Sequence, residues 1–81
     1  MRIAVKLFGT LDRHLPPGAH GNACELEVAD GTPAHDVLAR LGVPVDEPGA
    51  VVVLVNGRHC PRGYLVAEGD ALSAFPAMAG G

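Results

Sequence analysis

The chain has 81 residues, of which 48% are hydrophobic, 19% charged and only 4% aromatic, and its formal net charge is −3. That length makes one small domain whose core must be built from Val, Leu, Ala and Ile, and the composition excludes a disordered polyelectrolyte. Six Lys and Arg, scattered and outnumbered by nine acids, exclude the basic stripe that nucleic acid demands.

The first strand is expected over 2–8, with Ile3, Val5 and Leu7 on one face and Arg2, Ala4 and Lys6 on the other. Phe8 falls opposite the inward set, as an interface candidate or a cap on the core edge. Gly9 breaks the strand. Residues 10–15 then suit a short helical turn capped by Thr10, with Leu11 and Leu15 pointing inward. Pro16-Pro17-Gly18 ends that turn and a loop runs to Asn22. A second alternating strand is expected over 24–28, with Cys24, Leu26 and Val28 inward and Glu25 and Glu27 in water.

Asp30-Gly31 turns the chain into a helix, for which Thr32 is the expected N-cap and Pro33 the first helical residue. Ala34, Val37, Leu38 and Leu41 fall at i, i+3, i+4 and i+7, one buried stripe, and Gly42 supplies the stop. Residues 51–55 are apolar on both faces, as in a strand in the middle of a sheet. Asn56-Gly57 signals a tight hairpin whose return limb stops at Pro61. A short element is expected at 64–66, a turn at Glu68-Gly69-Asp70 and a last strand over 71–75. Pro76 cannot donate to a ladder, so the sheet is expected to end there.

One helix stripe on one mixed sheet makes an α+β domain. If the first and last strands lie side by side in the middle, it is a ubiquitin-like β-grasp with a free C-terminal tail. The expected division is a domain over 1–76 and a flexible tail over 77–81. The tail ends in Gly-Gly, an ending that chance supplies in roughly 1 chain in 50 at this glycine content, so it carries little alone.

Other constellations are weak. His59 and Cys60 are adjacent on an extended segment and point to opposite faces, so they cannot act as nucleophile and base. The four histidines, His14, His20, His35 and His59, lack ligand spacing, and no metal site is expected. Cys24 and Cys60 form no disulfide framework. The alternating start and the longest apolar run, 50–55, suit neither a signal peptide nor a membrane span, and a reducing, cytoplasmic setting is expected. No glycine loop with a lysine cradles phosphate, so this chain is not expected to bind ATP.

Four pieces in order, VKLFGTLDRHLPPG, LVNGR, EGDALSAFP and a terminal AGG, resemble the MoaD/ThiS sulfur-carrier family over essentially the whole chain. The turn after the first strand is most similar to small subunits of molybdopterin synthase. The resemblance implies a carrier, not a stand-alone enzyme. An E1-like adenylyltransferase of the MoeB/ThiF type would use ATP-Mg to adenylate the carboxylate of Gly81. A sulfur donor would then displace AMP and leave a thiocarboxylate.

Gly80, Ala79, Met78 and Ala77 would form the slender tail behind it. Phe75, Phe8 and Arg13 would contact partners, among them a molybdopterin synthase large subunit, and neither nucleic acid nor membrane is implied. Ala77 and Met78 stand where many members carry a second proline and a valine, and Asp12 precedes Arg13 where an arginine is common. Other expectations within reach are a carrier for a thiazole, cysteine or thiolated tRNA pathway, conjugation of Gly81 to a lysine, and a non-covalent ubiquitin-like module.

Overall fold

A computed structural model describes residues 1–77; Met78, Ala79, Gly80 and Gly81, where the sequence places most of the tail, lie outside the described residues. Five strands form one mixed sheet: β1 (Arg2–Leu7), β2 (Ala23–Glu27), β3 (Val51–Val55), β4 (Arg58–His59) and β5 (Ala71–Pro76). Their order across the sheet is β2-β1-β5-β3-β4. The first and last strands are central neighbours and run parallel, with Val5 opposite Leu72 and Leu7 opposite Ala74. All other pairings are antiparallel. An α-helix, α1 (Ala34–Arg40), joins β2 to β3, and a 3₁₀ helix over Gly9–His14 follows β1. This is the ubiquitin-like β-grasp. No helix among the described residues is long and apolar enough to cross a membrane.

The alternation in β1 and β5 decides where the core sits. Ile3, Val5 and Leu7 are buried with Leu72 and Ala74, and against them pack Val53 and Val55 of β3 and Ala34, Val37 and Leu38 of α1. Leu41 reaches this core only partly, because it caps the helix. The stop at Gly42 is a Schellman motif. Gly42 has a φ of 92°, its N–H donates to Ala39 O, and the Val43 N–H reaches back to Leu38 O at 3.1 Å. The hairpin after β3 is equally local: Asn56 and Gly57 both have positive φ, the geometry a two-residue mirror-image turn requires.

Three expectations are corrected. Thr32 is not the N-cap of α1; Pro33 is, and it makes no side-chain cap. The Thr32 hydroxyl donates instead to Ala29 O at 2.6 Å, closing the preceding turn, while its carbonyl accepts the Val66 N–H. Short hydroxyls compete for nearby backbone groups, and here the turn wins over the cap. Thr10 likewise lies inside its 3₁₀ helix, and extended Phe8 holds the cap position. Finally, β3 is not covered on both faces, since Val52 is 43% exposed. The helical layer lies on the other side, and among the described residues no second layer covers this one.

Candidate functional site

Leaving β1, the chain stays registered with β5 for one more step: the Phe8 N–H donates to Ala74 O at 3.0 Å. Side-chain alternation places Phe8 and Phe75 on the outer face, away from α1. Their rings stack with centroids 4.4 Å apart and planes 2° from parallel. Phe75 lies opposite Val52 on β3, and Ser73 opposite Leu54. The outer face therefore carries a half-exposed apolar patch of Phe8, Phe75, Val52 and Leu54, built on three adjacent strands. On the β2 side it is bordered by charge, where Arg2 pairs with Glu25 at 3.1 Å and Glu27 at 3.4 Å. On the β4 side it is bordered by exposed His59, opposite Leu54.

The patch sits at the end of the sheet from which the chain departs. Pro76, the last residue of β5, lies opposite Val51, and the Ala77 N–H donates to Ala50 O at 3.0 Å. The far end of β5 is held by a polar lock. Asp70 is buried, its Oδ1 accepting from Asn56 Nδ2 at 2.9 Å and its Oδ2 from Tyr64 Oη at 2.6 Å and the Ala67 N–H at 2.8 Å. Asn56 Oδ1 in turn accepts the Ala71 N–H. Burial pushes the Asp70 carboxyl up, but the bonds from Tyr64, Ala67 and Asn56 outweigh it, and the carboxyl ends below its ordinary value of 3.8. Donating to that carboxylate, the Tyr64 hydroxyl is held above its usual range.

Of the residues expected to meet partners, Phe8 and Phe75 are brought together and Arg13 is not. Arg13 is exposed in the last turn of the 3₁₀ helix and forms no ion pair with another described residue. Val52 and Leu54 join the patch unforeseen; the available signal was the uninterrupted apolar run of β3, read as burial.

The His59-Cys60 pair is split as alternation requires, with His59 exposed and Cys60 2% exposed. Burial raises the Cys60 thiol, helped by the Asp70 charge, so it is no thiolate nucleophile. Beside them a cleft of about 300 Å³ is lined by His35, Val45, Val52, His59 and Arg62. Burial, and then the Arg62 charge, lower the His35 imidazole below 6.5 and keep it neutral at physiological pH. Among the described residues no three His, Cys, Asp or Glu side chains gather as a metal site.

Similarity to known proteins is consistent with this geometry. SAMP1 from Haloferax volcanii is 24% identical, with all of both chains covered and a TM-score of 0.74. The HVO 2177 protein of the same organism is 29% identical over all of this chain and 87% of its own, also at 0.74. A candidate molybdopterin converting factor, subunit 1, from Pyrococcus furiosus is 21% identical over 93% of this chain and 95% of its own, at 0.68. No curated protein sequence matches significantly. The model of the ThiS family matches residues 5–81, nearly the whole chain. This chain belongs to the ThiS family of ubiquitin-like sulfur carriers.

Proposed function

We propose that this protein is the small subunit of a molybdopterin synthase, carrying sulfur as a thiocarboxylate on Gly81. The observation that carries the reading is the family match running through the Gly-Gly ending to Gly81 itself. The bare apolar face beside the exit of β5 supports it. An E1-like adenylyltransferase of the MoeB/ThiF type docks there and transfers AMP from ATP-Mg to the Gly81 carboxylate, releasing pyrophosphate.

A carboxylate repels nucleophiles and has no leaving group, and the acyl adenylate removes both obstacles. A hydrosulfide equivalent attacks the carbonyl carbon, the C–O bond to AMP breaks, and a proton is lost to leave the thiocarboxylate. That group is ionised and nucleophilic at neutral pH, and a synthase large subunit then receives it to build the dithiolene on a pterin precursor. Glycine at 80 and 81 suits a narrow tunnel because it has no Cβ. The protein supplies no catalytic side chain; small carriers of this family are generally not catalysts.

Intact-mass measurement after incubation with ATP-Mg, the activating enzyme and a sulfide donor is expected to show one carboxyl oxygen replaced by sulfur. An unchanged mass would overturn the carrier reading and leave a non-covalent module. Transfer of that sulfur to a pterin precursor by a large subunit separates the molybdopterin role from the thiazole, cysteine and tRNA alternatives.

A further inference from the structure

We infer that Gly9 is a positioning residue for the chemistry at the terminus: it forms the seat for Pro76 and so sets the direction in which the chain leaves the sheet. The inference rests on the carrier reading above. Gly9 has a φ of 56°, a left-handed conformation that turns the chain out of β1. The bond from the Phe8 N–H to Ala74 O fixes this turn against the last residues of β5. Backbone groups of residues two apart in a strand face the same side, so the nitrogen of Pro76, like Ala74 O, faces β1. The proline ring thus lies where Gly9 has no side chain.

A Cβ on Gly9 would stand 3.1 Å from Pro76 Cγ and 3.4 Å from Pro76 Cδ. A pyrrolidine ring cannot swing aside as a flexible side chain can, because it is tied to its own backbone nitrogen. Nor is there slack on the other side, where the Ala77 N–H is bonded to Ala50 O. Relief of the contact therefore displaces the backbone at Pro76 and Ala77, five residues or fewer from Gly81. Among the described glycines with positive φ, only Gly42 has another close neighbour, the His14 ring; the remainder face open space. Gly9 is the one whose missing Cβ is matched to the exit of the chain.

The test compares Gly9→Ala with Gly31→Ala, which carries the same kind of strain, at a φ of 80°, with nothing within 4 Å. Gly31 follows β2, at the end of the sheet away from the exit. Two readouts are taken: hydrogen exchange of the Ala77 amide, and kcat and KM for ATP-dependent adenylation by an adenylyltransferase that activates the unaltered chain. Gly9→Ala is expected to speed exchange at Ala77 and to lower kcat on the order of 10- to 100-fold with KM unchanged, as misplacement of a reacting group does. Gly31→Ala should change neither.

A purely structural defect would instead remove folded substrate and raise the apparent KM. Pro76→Ala, which empties the seat while Gly9 stays, should also lower kcat, and adding Gly9→Ala to it should cost little more. Should Gly9→Ala fail to fold, Pro76→Ala decides alone. Unchanged kcat in Pro76→Ala, or equal effects of Gly9→Ala and Gly31→Ala, would overturn the inference. If the unaltered chain is not adenylated, it is the carrier reading that fails, and unchanged exchange at Ala77 in Gly9→Ala would overturn the seat as well.

Discussion

The two faces of this sheet are built from the same strands and much the same residue types, yet among the described residues only one is covered. On the inner face Ile3, Val5, Leu7 and Leu72 lie at or below 1% exposure beneath α1. On the outer face Phe8, Phe75 and Leu54 are half-buried and Val52 is exposed. Inner apolar residues are held by burial within the chain, so their loss must appear as instability. Outer ones are left by the described residues to gain further burial from another molecule, so their loss should appear mainly in association. The comparison is open to direct attack from either side.

The largest effect is expected for Leu72→Ala. Leu72 is fully buried on the central strand, between Val5 of β1 and Val55 of β3. Truncation loses transfer energy and leaves a cavity, costing about 2–5 kcal/mol, a large part of the ~5–10 kcal/mol available to a domain of this size. Denaturant melts should show a lower midpoint with an unchanged slope. A loss well under 1 kcal/mol would mean that the inner face is not the stabilising one.

A middle-sized effect, of polar origin, is expected at the far end of β5. Asp70→Asn removes a charged acceptor from the bonds of Tyr64 and Ala67 and should cost about 2 kcal/mol near neutral pH. The folded carboxyl lies below its ordinary 3.8, so the unfolded chain binds its proton first as pH falls. The contribution is therefore complete above 3.8 and disappears as pH drops through the folded value. Urea midpoints of the unaltered protein and of Asp70→Asn should differ at neutral pH and converge only as the pH falls through the lowered folded value. A constant difference would show that the charge of Asp70 is not what stabilises the lock.

The order of elements was legible because its signals are local. Alternation in β1 and β5, the stripe of α1, Gly42 and Asn56-Gly57 each act within a few residues. What escaped depends on distant neighbours. Asp70 reads as a turn residue, and nothing nearby announces Asn56 as its partner across β3 and β5. Gly9 reads as a strand breaker until Pro76, at the other end of the chain, is brought against it. The apolar run of β3 fits two covered faces as well as one covered face and one docking face, and periodicity cannot separate them. The Thr32 assignment failed for the opposite reason, because two local bonds competed for one hydroxyl.

The smallest stability effect, and the sharpest test of the comparison, belongs to Phe75→Ala. Its ring is half-buried and stacked on Phe8, so truncation should lower stability by about 1 kcal/mol, the scale of one aromatic pair and a little lost area. Binding should respond differently. An aromatic anchor at the centre of a docking patch is worth about 2 kcal/mol or more, so affinity for the activating enzyme should fall roughly 30-fold or further. Titration calorimetry with that enzyme and a denaturant melt of the same variant measure the two quantities side by side. A variant that loses several kcal/mol of stability but binds normally would place Phe75 with the core rather than the interface. The two faces would then differ only in how well α1 covers them, because the outer patch would be a second, thinner core layer closed by its own aromatic pair.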